Sequence, residues 1–236
     1  MPRREPVAGG PSRYLRPMPT RRARTPVPPK LPAELVPARL STLADDGVYL
    51  SLEFGGSVAA GTRAEDIDVE RCRFDTAGLA GAELRRGSFS DVEFLGCDLA
   101  NVEVVDGMVS NAVLDRCRLT GAKWTGCTFR DVVFAGCRGD LSRFRISRFR
   151  NVVFRDCNLT EADFQGAEFT GCRFEDCRMQ GVQFSQAKML GTTVFSGCDL
   201  WGIGGVESLR GATVKSADAQ SLLHTLASAL GITVEE

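Results

Sequence analysis

From Phe74 to Val194 every fifth residue is Phe, Leu, Val, Met or Trp, with Gly139 the one exception among 25 positions. Neither regular element produces this period. In an α-helix a step of five rotates the side chain by about 140° and scatters these residues around the cylinder. In a flat strand an odd step sends successive residues to opposite faces. The chain must therefore turn once per five residues, so that every large side chain points to one axis. The position two before each large residue is small or slender throughout, from Cys72, Ala77, Ala82, Gly87 and Val92 to Val182, Ala187 and Thr192. Alternation within a short extended segment places both members of the pair inward. The residues between pairs are mostly Arg, Asp, Glu, Asn, Thr and Gly, which suit an outer face and tight turns.

A period of 20 lies over the period of five. Segments 91–100, 111–120, 131–140, 151–160 and 171–180 read DVEFLGCDLA, NAVLDRCRLT, DVVFAGCRGD, NVVFRDCNLT and GCRFEDCRMQ. Four five-residue sides per revolution make a square coil, in which residues 20 apart stack directly. One inner column should then hold Phe74, Phe94, Leu114, Phe134, Phe154 and Phe174, and another Leu84, Val104, Trp124, Phe144, Phe164 and Phe184. The start is less regular, with Phe54, Ala59, Ala64 and Val69 in phase. Near Phe195 the phase slips by one residue, because Phe195 and Leu200 agree with each other but not with Val194. The break at Gly139, followed by Leu141, predicts a local bulge or kink.

These inner pairs resemble the repeat of the pentapeptide-repeat family, commonly written A(D/N)LXX, with close matches at Cys97-Asp98-Leu99, Cys157-Asn158-Leu159 and Ala162-Asp163-Phe164. The resemblance covers about residues 50–214. It implies an all-β fold, a right-handed quadrilateral β-helix. At about 4.8 Å per coil, about eight coils across residues 54–214 give a rod about 38 Å long. Such a rod must close its open strand edges. Residues 216–236 supply a C-terminal capping α-helix, with Ser216 as N-cap, Ala219, Leu222, Leu223, Leu226 and Leu230 at helical spacing, and Gly231 as the stop. The resemblance adds homodimerisation through this helix.

All ten prolines lie in the first 37 residues. Residues 1–40 carry nine basic side chains against Glu5 and Glu34, a net charge of +7, which leaves residues 41–236 at -8. A Pro- and Arg-rich segment with few apolar residues cannot offset its ordering entropy, so residues 1–40 are expected to form a mobile basic arm. The β-helix then spans 41–215 and the cap with its tail 216–236. No apolar run reaches the length of a membrane span, and residues 1–30 lack the apolar block of a secretory leader. A soluble, cytoplasmic protein without a membrane partner is expected.

Nine cysteines raise the question of metal or redox chemistry, yet they occupy small inner positions. Cys97, Cys117, Cys137, Cys157 and Cys177 should form a stacked ladder. Its spacing of about 4.8 Å exceeds the roughly 3.8 Å between Cβ atoms that a disulfide prefers, so reduced thiols are expected. A linear stack cannot surround a tetrahedral zinc, and the chain has no CxxC pair. His224 is the single histidine, no GxSxG or GxxxxGK motif occurs, and Gly202-Ile203-Gly204-Gly205 lacks the third glycine of a dinucleotide fingerprint. The expectation is a non-enzyme without metal or cofactor.

What remains is surface charge. Residues 138–155 hold Arg138, Arg143, Arg145, Arg148, Arg150 and Arg155 against Asp140 alone, a basic belt suited to an anion or an acidic partner. Acidic residues gather instead at Asp91, Glu93, Asp98, Glu103 and Asp106, and at Glu161, Asp163, Glu168, Glu175 and Asp176. The family includes fluoroquinolone-resistance members that resemble B-DNA and bind DNA gyrase, so the resemblance implies gyrase as a candidate partner. A full mimic about 38 Å long would carry about 22 negative charges. The rod nets only -8. A non-catalytic protein-interaction scaffold is therefore the first expectation, with a DNA-mimicking regulator of DNA gyrase or topoisomerase as the alternative. A further alternative is nucleic-acid or anion binding through the basic arm and the arginine belt.

Overall fold

The computed structural model describes residues 24–38, 42–56 and 59–234. They form a right-handed, quadrilateral parallel β-solenoid of about nine turns with a short C-terminal helix. On the second side of the coil, Phe54, Phe74, Phe94, Leu114, Phe134, Phe154 and Phe174 are successive partners in parallel register, each 20 residues from the last. The first side pairs Tyr49, Val69, Phe89, Val109, Phe129, Phe149, Phe169 and Met189 in the same way. The fourth side pairs Ala64, Leu84, Val104 and Trp124, and the third is held by single bridges such as Asp98 to Arg118.

Strand spacing dictates how the core fills. Phenylalanines one coil apart cannot meet edge-on at that distance, so they stack face to face. Phe154 lies 4.6 Å from Phe134 and 5.0 Å from Phe174 between ring centroids, with interplanar angles of 6° and 3°. Rings from different columns meet edge to face, as Phe144 and Phe154 do at 6.3 Å and 74°. Both arrangements suit the aromatic quadrupole. Corners between sides repeatedly take left-handed backbone, as at Asp91 (φ 52°), Asp131 (φ 55°) and Asn151 (φ 55°), which explains the Asp, Asn and Gly found there. Ile146 breaks that preference with φ 57° and 66% exposure, a strain of order 1–2 kcal/mol that the surrounding coil holds.

Four expectations need correction. At Gly139 the ladder does not bulge. Arg118, Arg138 and Asn158 remain in register, and Gly139 N–H donates to Asn158 O at 2.7 Å. A ladder bond needs no side chain, and Leu159 fills the vacated space, its Cδ2 lying 3.1 Å from where a Cβ on Gly139 would sit. The phase slip falls earlier than Val194. Phe174 pairs with Phe195, 21 residues on, so Thr193 and Phe195 point inward while Thr192 and Val194 are half-buried.

The cap also differs. Lys215 holds the N-cap position without a side-chain bond, because extended backbone runs straight into the helical turn Ser216–Ala219. The helix Leu223–Ala229 follows a 3-10 turn at Gln220–Leu222. Leu222 and Ala227 are buried, whereas Ala219, Leu223, Leu226 and Leu230 face outward. Ser221 ties the cap to the last coil, its Oγ accepting the Leu200 N–H at 3.2 Å. Gly231 does end the helix, with φ 71°.

The last correction concerns the arm. Residues 1–23 and 39–40 of it lie outside the described residues, but residues 24–38 are laid against the rod. Val36 and Pro37 pair with Leu52 and Glu53, adding a strand at the N-terminal edge. Prolines lower the entropy lost on extending a chain, which composition alone counted only as a sign of disorder.

Candidate interaction surface

Each side of the coil shows two outward positions flanking its large inward residue, so the surface is four stiff faces with side chains repeating at coil spacing. The six belt arginines belong to one coil and are therefore spread around its perimeter. Arg138 lies on the third side, Arg143 and Arg145 on the fourth, Arg148 and Arg150 on the first, and Arg155 on the second. One flat ligand cannot touch all six. Arg145 pairs with Asp163, Arg148 with Glu168 at 3.7 Å and Arg155 with Glu175 at 2.9 Å. Arg138, Arg143 and Arg150 have no ion pair among the described residues.

The structure brings together a different set. Arg150 stacks in register on Arg130, which reading along the chain missed and reading 20 residues back would have found. With Arg24, Thr25, Asn151 and Thr170 they line an open cleft of about 500 Å3.

Acidic residues are largely matched to bases one coil away. Of the ten in the two acidic clusters, Glu93 meets Arg73, Asp98 meets Arg118, Glu103 meets Lys123, Asp163 meets Arg145, Glu168 meets Arg148 and Lys188, and Glu175 meets Arg155 and Arg173. Burial pushes the Glu175 carboxyl up, but Arg155 and Arg173 outweigh it and hold it below its ordinary value. Asp106, Glu161 and Asp176 carry no ion pair among the described residues, and each occupies a different corner of the coil.

The nine cysteines are all buried and free, and they do more than fill space. Each ladder thiol reaches a carbonyl of the preceding coil, Cys137 Sγ to Leu114 O at 3.2 Å and Cys177 Sγ to Phe154 O at 3.4 Å. No group of three or more His, Cys, Asp or Glu among the described residues is placed to hold a metal ion. Between Val104, Val109 and Trp124 the core leaves a void of about 10 Å3, lined only by apolar side chains.

Along the corner between the first and second sides runs the segment 24–30. Arg173 donates to Arg24 O at 2.9 Å, Asn151 Nδ2 to Thr25 O at 3.3 Å, Val27 N–H donates to Asp131 Oδ1 at 3.1 Å, and Lys30 N–H to Asp91 Oδ1 at 2.9 Å. Pro26 is buried, and Val153, at an outward position of the second side, is only 1% exposed.

A square coil with small and large residues paired inside defines a pentapeptide-repeat solenoid. The pentapeptide repeat region matches residues 67–144 and 112–184, half of the chain taken together, and the chain belongs to that family. Among solved structures, a trypsin-treated variant of QnrB1, a plasmid-mediated fluoroquinolone resistance protein, is 20% identical across 81% of this chain and 99% of its own, with a TM-score of 0.35. A pentapeptide repeat protein from the Arabidopsis thaliana thylakoid lumen is 23% identical across 40% of this chain and 66% of its own, with a TM-score of 0.38. HetL, involved in heterocyst differentiation regulation in the cyanobacterium Nostoc sp., is 14% identical across 74% of this chain and 91% of its own, with a TM-score of 0.26. No curated protein matches the sequence. No helix among the described residues is long and apolar enough to cross a membrane.

Proposed function

We propose that this protein is a non-catalytic protein-interaction scaffold. The observation that supports the reading is the internal matching of its charge. Six of the ten clustered acids are in ion pairs, and the three without an ion pair or a strap contact among the described residues sit on three different corners, so these ten form no continuous acidic stripe on one side. Faces that alternate acidic and basic positions at coil spacing suit protein partners with complementary patterns. The alternative, a DNA-mimicking regulator of gyrase, needs unmatched negative charge spaced as in DNA. Spreading the belt around the perimeter likewise weakens the reading in which residues 1–40 and the arginines grip nucleic acid. Titrating the full chain into gyrase supercoiling, with and without a fluoroquinolone, separates the first two. The scaffold reading expects unchanged supercoiling up to micromolar protein. Inhibition or drug protection would replace it with mimicry.

We also infer a homodimer through the C-terminal cap. Leu223, Leu226 and Leu230 are 58%, 45% and 75% exposed, an apolar stripe at the end of the rod. Light scattering should give twice the chain mass of 25.5 kDa, falling to the single mass in Leu223→Asp/Leu226→Asp. A monomer in the unsubstituted chain at 50–100 micromolar would remove this reading.

A further inference from the structure

We propose that the corner column Asp91, Asn111, Asp131 and Asn151, with the outward Val153 beside it, is a binding channel for extended polypeptide of the type X-Pro-Pro-X, which the chain's own residues 24–30 occupy in cis. The inference deepens the scaffold reading by naming a ligand class and rests on that reading. Peptide binding and gyrase supercoiling are separate measurements, so the two can fail separately.

The match between channel and strap is one of pitch. A polyproline II chain advances about 3.1 Å per residue. Three residues, from Val27 to Lys30, therefore span about 9.3 Å, and two coils span about 9.6 Å. Their N–H groups reach Asp131 and Asp91, two coils apart. Between them stand Pro28 and Pro29, which have no N–H, at the level of Asn111, for which no bond to the strap occurs among the described residues. One coil beyond Asp131 the polarity reverses. There the channel residue is Asn151, which can donate, and it donates to the Thr25 carbonyl. Pro26, lying between the bonds at Thr25 and Val27, is buried, and so is Val153, although Val153 occupies an outward position.

Asp and Asn stand at these corners because they tolerate left-handed backbone. Asp131 Oδ1 also accepts from Asn151 Nδ2, so these side chains bond each other as well as the chain that crosses the coils. Nothing in this recognition requires covalent continuity with the rod. Any extended segment with N–H donors three residues apart, separated by two prolines and preceded by a small apolar contact, meets the same groups. In cis the strap has the advantage of a high effective concentration, so it shields the channel from weak competitors.

The test uses the full chain. A fluorescent synthetic peptide of residues 22–33 is titrated into the unsubstituted protein and into a strap variant, Pro26→Asp/Val27→Pro, which loses the buried ring and the donor to Asp131. The strap variant should bind the peptide at least tenfold more tightly than the unsubstituted chain. Adding Asp91→Gly and Asp131→Gly should then weaken it at least tenfold. Glycine already fills this corner at Gly171 and Gly191, so these changes keep the coil. In parallel, hydrogen exchange at the Val27 and Lys30 amides should be slow in the unsubstituted protein and at least tenfold faster in Asp91→Gly/Asp131→Gly. Equal peptide binding by the unsubstituted and strap-variant chains, no binding to either, or indifference to the glycine substitutions would overturn the proposal.

Discussion

Phe154→Ala should destabilise the rod by about 4 kcal/mol and lower its Tm by about 8–16 °C. Phe154 is 1% exposed and lies in the middle of the second-side column, with ring faces on Phe134 and Phe174 and edges against Phe144 and Phe164. Truncation removes the transfer free energy of the ring and leaves a cavity that coil spacing prevents from closing, because the neighbouring rings are pinned by their own backbone ladders. A solenoid also depends on contacts between adjacent coils. A hole in the middle should therefore weaken the coupling of its two halves and broaden the unfolding transition. Phe154→Leu, which keeps most of the volume and loses the stacking, should cost about 1–1.5 kcal/mol. Urea denaturation followed by circular dichroism measures the two free-energy losses and the breadth of the transition, and a thermal melt measures the Tm. A loss below about 1.5 kcal/mol for Phe154→Ala would mean that the stacked column is not the main source of stability.

Alkaline pH should unfold the protein over a narrow range in reducing buffer, with a midpoint near about pH 10–10.5 from the following balance. Burial pushes the Cys127 thiol up to about 12 and Cys172 up to about 11. For Cys137, Cys157 and Cys177 the thiol of the preceding coil is the larger cause and burial adds to it, raising each to about 12. A thiol in the unfolded chain titrates near about 8.5. Below that pH both states keep their protons and the thiols do not affect stability. Between about 8.5 and 11 the unfolded chain loses protons that the folded chain retains, so each of these thiols lowers stability by about 1.4 kcal/mol per pH unit. Acting together, they overcome a total of about 10 kcal/mol within about two units. Lysine and tyrosine titration adds little, since the chain has only Lys30, Lys123, Lys188, Lys215, Tyr14 and Tyr49. Unfolding free energies measured at pH 8, 9 and 9.5 should fall progressively, with a shallower slope in Cys127→Ala/Cys172→Ala. A protein still folded at pH 11 would contradict the account.

The inner architecture was legible in the sequence because a solenoid repeats its contacts at one fixed separation. Phe134 touches Phe154, and Cys137 sits beneath Cys157, for the same reason that both pairs are 20 residues apart. The column reading even located the phase slip, missing it by the single residue that moves the inward role from Val194 to Phe195. Outside the core the same 20-residue step applies, and reading along the chain instead of across it misleads. Six arginines close in sequence look like one site, but one coil carries them around its whole perimeter, and the pair that does stack, Arg130 and Arg150, lies one 20-residue step apart.

The segments outside the repeat depended on tertiary structure altogether. Helical spacing identified a C-terminal helix and its Gly231 stop, while the structure shows that the cap buries Leu222, exposes Leu226 and bonds the last coil through Ser221. Proline and arginine content marked residues 1–40 as a mobile basic arm, and said nothing of where residues 24–38 lie. Their bonds to the rod span 104, 61 and 149 residues, separations that follow no period. The amino-acid sequence by itself determined the coil, its inner pairs and its ladders, because each is a local rule applied again at a constant step. Only the folded rod decided what covers the outer faces, because those contacts form between surfaces that do not exist until the coils have stacked.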